Sequence, residues 1–241
     1  FISFLSECNF YMIISSLFIK NKPKIIVSER NNPKKKSFLY KILIRILYKF
    51  TDEVISVSKG IQNILKNDFN IESKVIYNPI REPKNIEKQI EYVEKKYGYI
   101  FNNHEKVFLF VGRLTKQKNI FFMIKVFNEY LKKNKVNDCL IILGDGALKK
   151  DLVNFVKNTN LEDKVYVLGR QKYIDGFMRL SDCFILTSLW EGMPNVLLEA
   201  IANKLPIVTT DCETGPKEIF GLDLHTEIDG CYKSNIGLLC S

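Results

Sequence analysis

The sequence predicts an α/β protein made of two units, each a parallel sheet covered by helices. Three observations predict it. Short β-branched runs alternate with longer amphipathic stretches along most of the 241 residues, the pattern of parallel sheets whose crossovers cover both faces. The alternation breaks once, at 78–106, where Asn78-Pro79 leads into the charged, weakly apolar segment REPKNIEKQIEYVEKKYGYIFNNHEK. The composition, 46% hydrophobic and 26% charged, is that of a folded chain and excludes disordered, collagen-like and disulfide-dense classes.

The elements follow in order. Apolar, β-branched runs at 1–5, 24–28, 53–57 and 74–77 read as strands, separated by helical patterns at 8–20, 36–50 and 58–68. These form a first domain over 1–80. Residues 81–106 read as an interdomain connection, because Pro and polar residues mark boundaries. A second domain, 107–241, has strands at 107–111, 139–143, 164–168, 182–186 and 206–209, with helices at 119–134, 147–158, 172–180 and 195–204. The chain begins at Phe1 rather than Met, and FISFL already reads as a strand. It is therefore taken as part of a longer polypeptide, with its first domain N-terminally truncated and its C-terminus incomplete.

Charge narrows the partners. Thirty-six Lys and Arg against 27 acids give a net charge of +9, which favours anionic ligands or dispersed surface lysines. One stretch is concentrated: Lys34, Lys35, Lys36, Lys41, Arg45 and Lys49, with no acid between 34 and 50. Leu39, Ile42, Leu43, Ile46, Leu47 and Phe50 form an apolar sector on the same helix. This basic amphipathic pattern suits an anionic bilayer surface, or equally a packed helix with a solvated basic edge. The six cysteines include no CxxC pair, and neither His104 nor His225 has a metal-binding spacing to one. No metal site is expected, and the thiols read as reduced, as in a cytosolic protein. The apolar run Phe10–Ile19 is too short to span a bilayer and lacks signal-peptide flanks. Aromatics are not interleaved with basic residues as nucleic-acid stacking platforms require.

Two segments carry chemistry. In VFLFVGRLTKQKN, 107–119, a strand runs into Gly112 and Arg113, then a loop with Lys116 and Lys118 before a helix near Asn119. Ligands bind at the carboxyl ends of such strands, and a Gly, an Arg and a Lys there suit a diphosphate; a solvated basic loop is the plain alternative. In SLWEGMPNVLLEAIANK, 188–204, Pro194 suits a first helical turn and leaves the amides of Asn195 and Val196 free for an anion. Glu191 precedes that helix. Glu199 lies roughly 7.5 Å along its axis past Pro194 at 1.5 Å per residue, so the two carboxylates bracket the helix start rather than sharing a face. The turn after Val111 and the opening at Pro194 are expected to serve one diphosphate.

The run DCFILTSLWEGMPNVLLEAIANKLPIV resembles the C-terminal domain of retaining GT-B glycosyltransferases of family 4, whose hallmark is two glutamates separated by seven residues, here Glu191 and Glu199. VGRLTKQKN, LGDGALKKDL and the GPxE-like TDCETGPKEIFG occur in the family's order. The resemblance implies two Rossmann-like domains and a donor site chiefly in the second. It implies catalytic roles for Glu191, at the transferred sugar, and for Arg113 and Lys118, at the donor diphosphate. Donor binding would fall to Gly112, to Glu199 at the ribose, to the Gly192, Met193, Pro194, Asn195 and Val196 backbone, and to Gly144, Asp145, Gly146 and Arg170 around the base. For the Gly144-Asp145-Gly146 turn, a plain need for tight-turn geometry is the alternative. SERNNP resembles the family's acceptor-side loop, giving Glu29, Arg30 and Asn31, or a simple polar turn before Pro33.

The function implied is metal-independent transfer of a hexose-type sugar, with retention, from a nucleotide-sugar (UDP-linked as the family-weighted choice). The acceptor would be a glycan or polyprenyl-linked intermediate of cell-surface polysaccharide, such as capsule or lipopolysaccharide. The protein would sit in the cytoplasm, peripheral on the inner face of the plasma membrane through 34–50, with no bound cofactor and no nucleic acid. A GT-B epimerase or phosphorylase, or a non-enzymatic anion-binding domain, are the alternatives.

Overall fold

The computed structural model describes residues 1–21 and 23–241. They form two compact units whose limits are not a single cut in the chain: residues 1–79 with 190–194 and 212–226 make the first, and 80–189, 195–211 and 227–241 the second.

In the first unit, β1 (Ile2–Phe4), β2 (Ile26–Glu29), β3 (Glu53–Ser56) and β4 (Lys74–Val75) form a parallel sheet in that order. Between them run α1 (Ser6–Ser16), α2 (Phe38–Leu47) and α3 (Lys59–Phe69). The core joins Val27 and Val54 of the sheet to Ile13, Ile44, Ile61 and Leu65 of the helices. Helix α3 starts at Ser58, whose hydroxyl accepts from the Ile61 amide, and ends at Asn70 in the left-handed conformation (φ 56°), as an Asn C-cap allows.

In the second unit, the strand order is β10 (Cys231–Ser234), β11 (Gly237–Cys240), β9 (Ile207–Thr210), β8 (Cys183–Leu186), β5 (Val107–Val111), β6 (Cys139–Leu143) and β7 (Val165–Gly169). All neighbours are parallel except the edge pair β10–β11. Strand β6 is buried along its whole length. The order reverses beside β5: β6 and β7 lie to one side of it, β8 and β9 to the other. In open α/β sheets that reversal leaves a crevice outside the strands' carboxyl ends. The covering helices are α4 (Ile86–Asn102), α5 (Ile120–Asn134), α6 (Lys149–Asn158), α7 (Ile174–Leu180) and α8 (Asn195–Ala202); a ninth, α9 (Pro216–Ile219), belongs to the first unit.

Three expectations are corrected. Residues 81–106 are not a bare connection: 17 of them form α4, which packs on α7. Val93, Tyr97 and Ile100 are buried at helical spacing, and Tyr97 and Phe101 meet the Phe177 ring at 5.3 and 6.4 Å. Gly176 is the contact point, since a Cβ there would lie 2.7 Å from the Gln89 carbonyl oxygen on α4. The hairpin β10–β11 adds an antiparallel edge to the otherwise parallel sheet. Its register places Cys231 opposite Cys240, and the two form a disulfide, so the thiols are not all reduced. Cys8, Cys139, Cys183 and Cys212 remain thiols; burial pushes Cys139 up to about 12 and Cys183 up to about 11. Among the described residues no helix is long and apolar enough to cross a membrane.

Candidate functional site

The carboxyl ends of β5, β6 and β7 form the floor of the site in the second unit. Each strand ends in a glycine-containing turn, and backbone hydrogen bonds lace the turns together. Gly112 donates to Leu143 O at 3.0 Å, Leu114 to Asp145 O at 2.9 Å, and Gly144 to Gly169 O at 2.8 Å. The approach leaves no room for side chains: a Cβ on Gly144 would lie 1.8 Å from Gly112 O, and one on Gly146 2.5 Å from Leu114 O. Close backbone packing accounts for the glycines of that turn, and Gly144 and Asp145 also line the cavity. Its glycines hold the floor, while Asp145 faces the cavity.

That cavity, of about 560 Å³, is lined by Val111, Gly112, Arg113, Leu143, Gly144, Asp145, Arg170, Gln171 and Ile174. Arg113 and Arg170 are exposed, and neither is ion-paired with a described residue. Asp145 is the local acid. Its Oδ2 accepts from Lys149 Nζ at 2.8 Å and its Oδ1 from the Gly146 amide at 2.9 Å, and these bonds hold its carboxyl below the usual range. Lys149 answers its charge first and Arg170 adds to it, and the guanidinium groups of Arg113 and Arg170 both line the cavity. Lys118 lies beside the same turn, its Cε 3.5 Å from where a Cβ on Gly112 would stand. The 115–119 loop that carries it is pinned to the end of β8: Thr187 Oγ1 donates to Lys118 O at 3.1 Å, and Leu189 donates to Gln117 O at 2.8 Å. Five predicted residues on three separate turns (Gly112, Arg113, Gly144, Asp145 and Arg170) therefore converge on one cavity. Sequence reasoning missed Ile174 as a lining residue and Lys149 as the partner of Asp145, although the Asp145/Lys149 spacing of four was a legible ion-pair signal.

Helix α8 carries Asn195, Val196 and Glu199. Asn195, at its first turn, is exposed, while Val196 and Glu199 are half-buried. Burial raises the Glu199 carboxyl; Arg81 opposes the rise and Asp175 adds to it.

Glu191, Gly192, Met193 and Pro194 fall in the first unit and are all buried. Gly192 lies against the acceptor-side loop, where a Cβ would stand 2.2 Å from Arg30 O. The GPxE-like segment closes on the same loop. Thr214 Oγ1 donates to Glu191 O, and Gly215 (φ +94°) would bring a Cβ within 2.6 Å of Pro194 Cδ. Its glutamate, Glu218, accepts from the Lys59 and Gly60 amides at 2.7 and 3.0 Å and from Tyr77 OH at 3.0 Å. It is a carboxylate on the positive end of α3, a role no sequence signal indicated. Glu218→Ala is expected to lower stability by about 1–2 kcal/mol, the scale of a lost helix cap, read as a lower thermal midpoint.

Glu29 is corrected as an acceptor-side contact. It is 1% exposed, and Ser6 Oγ donates to it at 3.2 Å and Tyr48 OH at 2.8 Å. Burial pushes its carboxyl up, and Asn9 completes the network by donating to Tyr48 OH at 2.9 Å. This carboxyl organises the first unit's interior. Arg30 and Asn31 remain half-buried at the surface; Arg30 donates to Asn78 Oδ1 and stacks on Phe4 with its guanidinium carbon 5.5 Å from the ring. In the basic stretch, Lys34 pairs with Asp68 and Glu213, Lys36 pairs with Glu7, and Arg45 donates to Asp68 O. Exposure is retained by Phe38, Leu39, Ile46, Lys49 and Phe50.

The family described as Glycosyl transferases group 1 matches residues 92–225, from the middle of α4 through the GPxE-like segment. The chain belongs to the group 1 glycosyltransferases. It is 37% identical over 240 residues to an uncharacterised glycosyltransferase of Methanocaldococcus jannaschii, covering 95% of this chain and 59% of that protein. It is 32% identical over 239 residues to a Campylobacter jejuni enzyme, N-acetylgalactosamine-N,N'-diacetylbacillosaminyl-diphospho-undecaprenol 4-alpha-N-acetylgalactosaminyltransferase, covering 94% of this chain and 62% of that one. The chain thus spans about 60% of the length of these relatives. Among solved structures, Anabaena Alr3699/HepE with UDP and glucose superimposes with a TM-score of 0.77 at 19% identity, over 100% of this chain and 64% of the other. Staphylococcus aureus TarM, crystallised with UDP, gives 0.66 at 21% over 84% and 40%. The glycosyltransferase shares with them the expected fold class, the GT-B type with Rossmann-like parallel sheets.

Proposed function

We propose that this group 1 glycosyltransferase transfers a hexose-type sugar, with retention as in family 4, from a UDP-sugar to a glycan or polyprenyl-linked acceptor in cell-surface polysaccharide synthesis. The observation that carries the reading is the cavity at the ends of β5–β7, where the exposed guanidinium groups of Arg113 and Arg170 stand over a glycine floor beside the strand-order reversal. A diphosphate is the ligand class that such a fork-and-backbone arrangement recognises. UDP bound in two of the structural neighbours supports the nucleotide. The lipid-linked substrate in the Campylobacter enzyme's name supports the acceptor class.

The chemistry follows from charge. Breaking the anomeric C–O bond leaves an oxocarbenium-like sugar and a diphosphate on which negative charge grows. Arg113 and Lys118 meet that charge with preorganised cations, so we assign them the work a divalent metal does in other transferases. Glu191 acts at the sugar. Glu199 accepts the ribose hydroxyls, and the α8 amides of Asn195 and Val196 add the positive end of a helix. Arg30 and Asn31 are assigned to the acceptor side. The exposed Phe38, Leu39, Ile46 and Phe50 beside Lys49 would rest on an anionic bilayer at the cytoplasmic face, each nearby basic residue adding about 1 kcal/mol.

The test is a panel of sugar nucleotides on the full-length protein, read as thermal shift and as release of free sugar. UDP-sugars should raise the melting midpoint and be slowly hydrolysed with the anomeric configuration kept. A midpoint unmoved by every sugar nucleotide overturns the reading.

A further inference from the structure

We propose that Gln171, locked by Tyr97 and the Leu168 carbonyl, selects the pyrimidine of the donor, with Tyr97 as its positioning residue. The inference deepens the donor assignment and rests on this cavity taking a UDP-sugar.

Gln171 lines the cavity on its β7 side, with β6 between it and the β5 turn, where Arg113 and Lys118 stand. With those cations at the diphosphate, the nucleoside falls toward β7. Both ends of the Gln171 amide are bonded within the second unit. Its Nε2 donates to Leu168 O at 2.7 Å, and its Oε1 accepts from Tyr97 OH at 3.2 Å. Tyr97 comes from α4, 74 residues earlier in the chain. It is held in turn: it is buried, and its ring lies 5.3 Å from the Phe177 ring on α7. Gln89 Oε1 on the same helix accepts from the Gly176 amide at 3.2 Å. The far end of the 170–174 wall is braced likewise, where Tyr92 of α4 meets the Tyr173 ring edge-on at 4.9 Å.

The lock has a chemical consequence. An unrestrained amide can turn over, exchanging its NH2 and its carbonyl, and so serves uracil and cytosine alike. Leu168 O only accepts, so it tolerates Nε2 beside it and not Oε1. Tyr97 OH completes the polarity by donating to Oε1. Gln171 therefore meets a ligand with its donor and acceptor in one fixed order, a second Nε2–H and a second Oε1 lone pair. Uracil offers the O4 acceptor beside the N3–H donor; cytosine offers the N4 amino donor beside the N3 acceptor. The two patterns are opposite, and a fixed amide satisfies one of them. The wrong base leaves polar groups mispaired, which is how sites built on hydrogen bonds discriminate. Arg113 and Lys118, at the diphosphate, meet the same groups in either ligand.

The experiment measures UDP and CDP affinity of the full-length protein by calorimetry. Wild type should prefer UDP by about tenfold or more, the discrimination of a paired against a mispaired hydrogen bond. Gln171→Leu, which keeps the bulk and removes the amide, should bring the two affinities within about twofold of each other. Tyr97→Phe keeps the ring against Phe177 and removes only the phenol; the preference should fall to about threefold, and in a Gln171→Leu background the change should have no further effect. Tyr92→Phe takes a phenol from the same helix without touching Gln171 and should keep the wild-type preference. Equal binding of UDP and CDP by wild type, or a UDP preference that survives Gln171→Leu, overturns the proposal alone. So does a Tyr97→Phe protein that weakens UDP and CDP by the same factor or binds both as wild type does, for then the phenol is merely structural. If wild type binds neither nucleotide, the donor reading itself falls and takes this inference with it.

Discussion

Arg113→Ala should lower the rate of sugar transfer by about 10²–10³-fold, the cost of removing one preorganised group from developing negative charge. The effect should fall mainly on kcat, because charge on the departing diphosphate is larger in the transition state than in the bound donor. Arg170, which lines the same cavity, is left in this variant, so donor affinity is expected to drop far less than turnover. Arg113→Lys should recover only part of the rate: it keeps the charge but loses the planar two-pronged fork. Folding is not the confounder, since Arg113 is exposed and ion-paired with no described residue, and such surface changes shift stability by about 0.5 kcal/mol or less. Steady-state kinetics on the full-length protein with an unchanged melting midpoint is the check. A kcat within about threefold of wild type would remove Arg113 from the chemistry and leave the cavity as a binding site for something else.

Nearly all of the sheet was legible because β-branched runs are a strong signal wherever strands are buried on both faces. Cys139–Leu143, buried at every position, is the clearest instance. The same logic explains what was lost. Helix α4 buries only Val93, Tyr97 and Ile100; the Lys and Glu residues along it outweigh that narrow stripe, so its composition reads as linker. The β10–β11 edge has a mostly exposed, polar first strand, with no apolar run to announce it, and its disulfide depends on a register that spacing does not encode. In the site, the Arg113 turn is marked by a Gly, an Arg and two Lys after a hydrophobic strand, whereas Arg170 is singled out only by the family resemblance. Glu29 misled: a strand-end carboxylate resembles a ligand until Ser6 and Tyr48, 23 and 19 residues away, are seen to donate to it. The Tyr97–Gln171 bond, 74 residues apart, was invisible in the same way.

Gly144→Ala should be among the most damaging single changes in the second unit, and Gly98→Ala among the least, although both swap one glycine for the same residue. Gly98 stands inside α4, and a methyl group added there would meet nothing within 4 Å. There Ala improves helix propensity and should add up to about 1 kcal/mol. At Gly144 two costs combine. The backbone sits at φ +145°, which L side chains rarely adopt, and the new Cβ would be 1.8 Å from Gly112 O. A backbone oxygen cannot rotate away as a side chain can, so the β5 and β6 turns must separate. Separation would strain the bonds from Gly112 to Leu143 O and from Gly144 to Gly169 O, and a loss on the order of 3 kcal/mol is expected from the overpacking and the strained backbone together. Even below its melting midpoint the variant should transfer sugar poorly, because Arg113 is carried on one of the turns being pushed apart and Arg170 follows Gly169, whose carbonyl Gly144 binds. Thermal melts of the two variants side by side, with UDP-glucose affinity measured on the folded fraction, decide it. A Gly144→Ala protein as stable as Gly98→Ala would mean that the glycine floor can yield, and that the cavity does not depend on it.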